Sequence, residues 1–198
     1  MDPIIHNQVG IQSSAAVADG TVYFGCRDSN VYALDAATGE KKWAFNNKGS
    51  WVIASPAVKD GRVYFATSDS GMLYALDAKT GAVVSSLDLK HWPMFSSPAI
   101  AGSTLYIGSH TGKLIAIDLA RLQPVWEFET DASRQNKPKY TKPDGTPNYE
   151  AAFSDFFYDD MVLGVDKMLS VGAILSSPAI VGRVIYVGAT DGNVYALE

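Results

Sequence analysis

The 198-residue sequence contains a single cysteine, Cys26, and only three histidines, His6, His91 and His110. One thiol makes neither an internal disulfide nor a cysteine-based zinc site, so neither device holds this fold together, and cysteine usage leaves the redox compartment open. Following a strand, Cys26 reads most simply as a small buried apolar residue. The histidines are far apart, and none is paired at i and i+4, so they read as turn and rim residues and not as metal ligands. Charge is scarce at 19% of residues, and sixteen Lys plus Arg against twenty-one Asp plus Glu leave a net charge of −5. No stretch gathers the positive charge needed to follow a phosphate backbone, which argues against a nucleic-acid partner. No apolar run is long enough to cross a bilayer as a helix, and Met1 to Gly10 has neither the basic start nor the apolar stretch of a signal peptide.

What is plentiful is 17 Gly, 10 Tyr and 8 Phe in a chain that is 47% hydrophobic. That balance favours short strands and tight turns, an all-β class. One unit recurs. Ser55-Pro56-Ala57, Ser97-Pro98-Ala99 and Ser177-Pro178-Ala179 share an anchor, and Ser14-Ala15-Ala16 is the same unit without its proline. Successive anchor serines are 41, 42 and 80 residues apart, so the last gap holds one period plus an insertion. Nine positions after each anchor serine begin Tyr23-Phe24-Gly25, Tyr64-Phe65-Ala66, Tyr106-Ile107-Gly108 and Tyr186-Val187-Gly188. Then come Tyr32-Ala33-Leu34-Asp35, Tyr74-Ala75-Leu76-Asp77, Ile115-Ala116-Ile117-Asp118 and Tyr195-Ala196-Leu197-Glu198, which alternate with the period of two of a half-buried strand. Asp19-Gly20 and Asp60-Gly61 supply hairpin turns. Gly71, Gly112 and Gly192 serve the next hairpins and are not a phosphate loop, because none opens a helix. Each unit is thus a four-stranded antiparallel meander. Such a sheet cannot bury both faces alone, so the units are expected to stack radially as blades of a β-propeller. The predicted blades are 11–48, 52–90, 94–130 and 173–198, within a single domain.

The string Ala33-Leu34-Asp35-Ala36-Ala37-Thr38-Gly39-Glu40-Lys41-Lys42-Trp43 resembles the tryptophan-docking motif of the pyrroloquinoline-quinone-type, quinoprotein-like β-propeller family. The resemblance covers residues 11–130 and 173–198. It implies that Trp43 packs against the next blade and that Asp35, Thr38 and Gly39 fix the turn that aims it. Asp77, Thr80 and Gly81 repeat that turn, but Ser85 stands where tryptophan is expected, and a weaker contact follows. Asp118 and Trp126 are kept in the third unit, while Arg121-Leu122 replaces Thr-Gly. The resemblance further implies an extracytoplasmic, periplasmic bacterial protein and rings of seven or eight blades. On that footing the chain is expected to be the C-terminal part of a larger propeller, with any secretion signal upstream. Its last unit lacks a fourth strand, which the short segment Pro3 to Gln8 is a candidate to supply through Ile4-Ile5. Two copies are expected to pair into a pseudo-eight-bladed dimer, the alternative being a four-blade ring or arc.

Residues 131–172 interrupt the repeat and are expected to lie over one mouth of the propeller. Asp131 to Pro147 reads as a loop. From Tyr149 to Leu169, Phe153, Phe157, Met161, Val165 and Met168 recur at helical spacing, with Asp155, Asp159, Asp160 and Asp166 on other faces, which predicts an amphipathic helix weakened by Gly164. Its aromatic stripe reads first as a lid packed on the rim. Trp51 and Trp92 occupy near-equivalent places before inner strands and form a candidate recognition patch with Tyr149, Phe153, Asp159 and Asp160, unless they pack under the lid. Asp159-Asp160 is a candidate cation or partner contact, its plainer reading being a solvated helix face.

Two functions follow. Enzymes of the family bind pyrroloquinoline quinone with calcium, commonly beside an adjacent cysteine pair. Here Cys26 stands alone, and no acidic cluster has calcium-loop spacing. No cofactor and no catalytic residue is therefore expected. The favoured reading is a non-enzymatic scaffold that binds a protein or peptide at the insertion-bearing face, and a quinone and calcium dehydrogenase or its remnant is the alternative. The family also includes a bacterial outer-membrane assembly scaffold, and no single motif here singles it out.

Overall fold

A computed structural model describes residues 10–90, 92–153 and 159–198. His6, His91, Ile4-Ile5, Asp155 and Phe157 lie outside them, as do the side chains of Asp159, Asp160 and Met161. Blade 1 comprises β1 (Ala16–Ala18), β2 (Thr21–Gly25), β3 (Asn30–Asp35) and β4 (Lys41–Asn46). Blade 2 follows with β5 (Ala57–Lys59), β6 (Arg62–Ala66), β7 (Met72–Asp77) and β8 (Val83–Asp88). Blade 3 holds β9 (Ala99–Ala101), β10 (Thr104–Gly108), β11 (Lys113–Asp118) and β12 (Gln123–Glu129). Among the described residues blade 4 has three strands, β13 (Ala179–Val181), β14 (Val184–Gly188) and β15 (Val194–Leu197). Every sheet is an antiparallel meander in chain order.

The register repeats. A bulge falls between Ala33 and Leu34, between Ala75 and Leu76, and between Ala116 and Ile117, so Trp43, Ser85 and Trp126 each oppose an alanine. Asp35 Oδ1 accepts from the backbone N–H of Ala37 and Thr38 and from the Thr38 hydroxyl, closing the turn into β4. Those donors and Lys42 hold the Asp35 carboxyl down at about 2. Asp77 makes the same turn with Lys79 and Thr80. At Asp118 only the Arg121 N–H donates at 2.9 Å.

The blades bury one another. Trp43 donates its indole N–H to Ala78 O of blade 2 at 3.0 Å, and the Tyr23 hydroxyl donates to the same oxygen at 3.1 Å. The indole lies on Gly81, where a Cβ would stand 2.8 Å from the ring. At the seam between blades 2 and 3 no indole arrives, because Ser85 replaces it. That seam is nevertheless filled: Leu119 and Leu122 of blade 3 are buried with Tyr64 and Ala75 of blade 2. Leu122 stands in the glycine position with φ 51°, so a strained side chain fits where the missing ring leaves room. Aliphatic packing thus stands where the indole would lie. A chain of serine links also runs from blade to blade: Ser14 N to Ser55 Oγ (2.8 Å), Ser55 N to Ser97 Oγ (2.9 Å) and Ser97 N to Ser177 Oγ (3.3 Å).

The insertion is more ordered than a loop. It contains α1 (Asp131–Asn136), a 3-10 turn (Lys137–Lys139), α2 (Tyr149–Ala152) and α3 (Asp159–Leu169). Thr130 caps α1 by accepting the Ser133 N–H at 3.1 Å, a signal overlooked amid the Lys, Pro and Asn that follow. The single predicted helix is interrupted where Phe153 turns extended, with φ −110° and ψ 134°.

Candidate partner-binding face

Three groups of loops meet on the face that carries the insertion: the β2–β3, β6–β7, β10–β11 and β14–β15 turns, the loops entering blades 2 and 3, and the insertion. The insertion is tied down at both ends. Thr130 N–H donates to Gly112 O at 2.9 Å, and the Thr130 hydroxyl reaches Gly172 O at 3.3 Å, so entry and exit lie side by side over the β10–β11 turn. Ser133 Oγ donates to Thr111 O, and Thr190 Oγ1 of blade 4 donates to Leu169 O, both at 2.5 Å. Glu129 takes Lys137 as ion-pair partner at 2.5 Å, and its hydrogen bonds from Lys137 and Ser133 outweigh burial to lower its pKa.

Trp92 is the third anchor. It is 2% exposed and donates its indole N–H to Gly145 O at 2.7 Å, in a small core with Ala152, Met168, Tyr140 and Phe153. Gly164 of α3 makes room for this packing, since a Cβ there would stand 2.2 Å from Phe153 Cδ1. Trp92 and Phe153 therefore hold the lid and do not present a recognition surface. Met168 faces inward as expected, but Val165 is exposed, because Gly164 faces the Phe153 ring. Between this lid and the outer strands of blades 2 and 3 lies a cavity of about 290 Å³, lined by Trp92, Lys90, Lys113, Glu127 and Lys137 among others.

Trp51 is half-buried and Tyr149 is exposed. The Trp51 N–H donates to Asp69 Oδ2 at 3.2 Å, and the Ser50 hydroxyl lies 3.4 Å from the same oxygen. The Arg27 guanidinium lies 3.8 Å from the centre of the Trp51 ring. Tyr149 is exposed at the start of α2, with its ring 6.4 Å from that of Phe153. Partial burial, and secondarily the charge of Asp69, raise its pKa. Asp69 thus links the two aromatic residues: it fixes the loop of one and lies within the electrostatic reach of the other. Neither Arg27 nor Asp69 was picked out for function in the sequence, because Asp69 reads as a hairpin-turn residue and no local spacing joins Arg27 to Trp51.

Other polar groups have structural surroundings. Cys26 is buried, donates its S–H to Gly10 O at 3.4 Å and has a thiol pKa raised mainly by burial. His110 packs edge-on to Phe95 at 4.8 Å, and burial pushes it down to about 4. Among the described residues, no three His, Cys, Asp or Glu side chains converge as metal donors. Among them no helix is long and apolar enough to cross a membrane.

The family model described as "Outer membrane protein assembly factor BamB" matches residues 5–151. The chain belongs to the pyrroloquinoline-quinone-type repeat family. It is 26% identical over 197 residues to the outer membrane protein assembly factor BamB of Yersinia pestis, covering 97% of this chain and 42% of that one. It is 30% identical over 161 residues to the dehydrogenase subunit of the quinone alcohol dehydrogenase of Komagataeibacter europaeus, covering 68% of this chain and 22% of that one. Among solved structures, BamB from Moraxella catarrhalis superposes with a TM-score of 0.66 at 19% identity, covering 94% of this chain and 46% of that one. The fold is an all-β propeller, of which this chain supplies four blades. The chain spans less than half the length of these relatives. The likeness is carried by the repeat as a whole, which is why no single motif distinguished scaffold from enzyme.

Proposed function

We propose that this chain is part of a non-enzymatic, extracytoplasmic propeller scaffold that binds a protein or peptide through the insertion-bearing face. The observation that carries the reading is the arrangement of Trp51, Arg27, Asp69 and Tyr149: one half-buried and one exposed aromatic residue and two opposite charges, held by blades 1 and 2 and by an insertion that is itself anchored. Aromatic and arginine side chains on a rigid frame supply large contact area at low entropic cost. Trp51 and its neighbours suit an extended peptide segment offering an apolar side chain and a charged or amide group. The BamB relatives, named as an assembly factor, support a scaffold. The quinone alcohol dehydrogenase relative supports the alternative of a dehydrogenase or its remnant.

Titration with pyrroloquinoline quinone and calcium separates the two. The scaffold reading expects no change in quinone absorbance and no shift in melting temperature. Saturable quinone binding with dye-linked alcohol oxidation would overturn it.

A further inference from the structure

Backbone pairs hold Arg27 against Trp51. The Val52 N–H donates to Cys26 O at 3.1 Å, the Trp51 carbonyl accepts the Ser68 N–H at 2.8 Å, and the Asn47 N–H donates to Ser29 O at 3.0 Å. The loop that carries the indole is therefore fastened to the β2–β3 turn on one side and to the β6–β7 turn on the other. It is also closed on itself, because the Ser50 N–H donates to Asn47 Oδ1 at 2.8 Å and the Asn47 amide donates to Ser50 O at 2.7 Å. The guanidinium, 3.8 Å from the ring centre, is thus set in place by two blades before any partner arrives.

What this placement does not supply is an acceptor. Arg27 is half-buried, its Nε is shut in without a hydrogen bond, and among the described residues no carboxylate pairs with it. The acids of the neighbouring turns are committed to other donors. Asp28 accepts the Tyr32 hydroxyl at 2.5 Å and the Asn30 N–H at 3.0 Å, and Asp69 Oδ2 accepts the Trp51 N–H and the Ser68 hydroxyl, each at 3.2 Å. With Nε enclosed, a partner meets the guanidinium through its two Nη ends, a planar fork whose spacing matches the two oxygens of a carboxylate. Partial burial has already stripped the group of some of its water, which strengthens its attraction for an anion. One such fork in a chain of net charge −5 suits a single carboxylate and not a polyanion.

We propose that the partner segment is acidic: it presents a carboxylate, from an Asp or Glu side chain or from its own C-terminus, to the Nη ends of Arg27. This rests on the reading of the face as a peptide site and names the group that the site selects. The test passes a synthetic pool of random dodecapeptides, made once with free and once with amidated C-termini, over the immobilised 198-residue chain and sequences the retained peptides by mass spectrometry. Enrichment of Asp or Glu in both pools is expected if a side chain supplies the group, and retention from the free-acid pool alone if the C-terminus does. The retained peptides are then remade with the acid as its amide. Their affinity for the wild type is expected to fall at least about tenfold, and their affinity for Arg27→Gln less than about twofold. The first of these two measurements reads the contact with no change to the protein. Arg27→Lys, which keeps the charge without the fork, is expected to recover only part of the affinity, and Lys48→Gln, which removes an exposed charge from the adjoining loop, to lose little. Retained peptides without acid preference, or a preference that Arg27→Gln keeps, overturn the proposal; if Tyr149→Ala abolishes that same retention, the peptide site itself stands. Retention from neither pool overturns both.

Discussion

A tryptophan in this fold is worth what the next blade offers it. Trp43 has a carbonyl at 3.0 Å and a glycine floor, and is 8% exposed. Trp126, at the same register, is 41% exposed and touches Tyr106 of its own blade. Trp43→Ala is therefore expected to cost about 3–5 kcal/mol in urea unfolding, and Trp126→Ala about 1 kcal/mol. The pairing of Trp43 with Gly81, and of Ser85 with Leu122, makes a second prediction. Ser85→Trp alone crowds Leu122 and is expected to destabilise by about 1–3 kcal/mol, while adding Leu122→Gly recovers at least half of the loss. Additive losses in the double variant would show that the two sites do not share one space. A third prediction concerns pH. Burial holds His110 at about 4, below its ordinary 6.5, so between these values the unfolded chain binds the extra proton. Stability should fall as pH drops from about 6.5 to about 4, and His110→Leu should flatten the pH dependence of unfolding in that window.

At the scale of elements, the strands were legible because period-two alternation, Asp-Gly hairpins and a fixed repeat all point the same way. Asp19 and Asp60 both take the positive φ of 48° that their turns demand. The insertion was legible only in outline. Its place over one mouth follows from the repeat, but α1 escaped notice because the cap at Thr130 lies in a stretch whose composition is that of a loop. The break after Ala152 was hidden by apolar residues that keep helical spacing on both sides of it. Spacing left two readings open for Trp92 and Phe153, recognition patch or packing under the lid, since it reports which residues are apolar and not which partner covers them; their common core is the second. Gly164 was read as a weakness of the helix, whereas the Phe153 ring needs its missing side chain. Gly164→Ala gains about 1 kcal/mol in helix propensity, yet the ring must move to admit the methyl. Hydrogen exchange is expected to accelerate across 149–169 in this variant and to stay unchanged in β2, β6 and β10. Slower exchange in the insertion would mean that propensity, not packing, sets its stability.

For the whole molecule, the repeat builds a rigid frame by covering each sheet with the next, and the insertion uses that frame as a floor. The frame holds Trp51 through Asp69, and the lid places Tyr149 beside Phe153 of its core, so the proposed site joins the frame and the insertion. Fold likeness alone leaves enzyme and scaffold equally open. The central claim, that a protein or peptide is bound at this face, is tested most directly by placing a photo-crosslinking amino acid in living cells at position 51 or 149, and at Glu40 on the outer rim as control. A discrete crosslinked protein from both face positions, absent from position 40, is the predicted result. Equal labelling at all three positions, or none at 51 and 149, would contradict it.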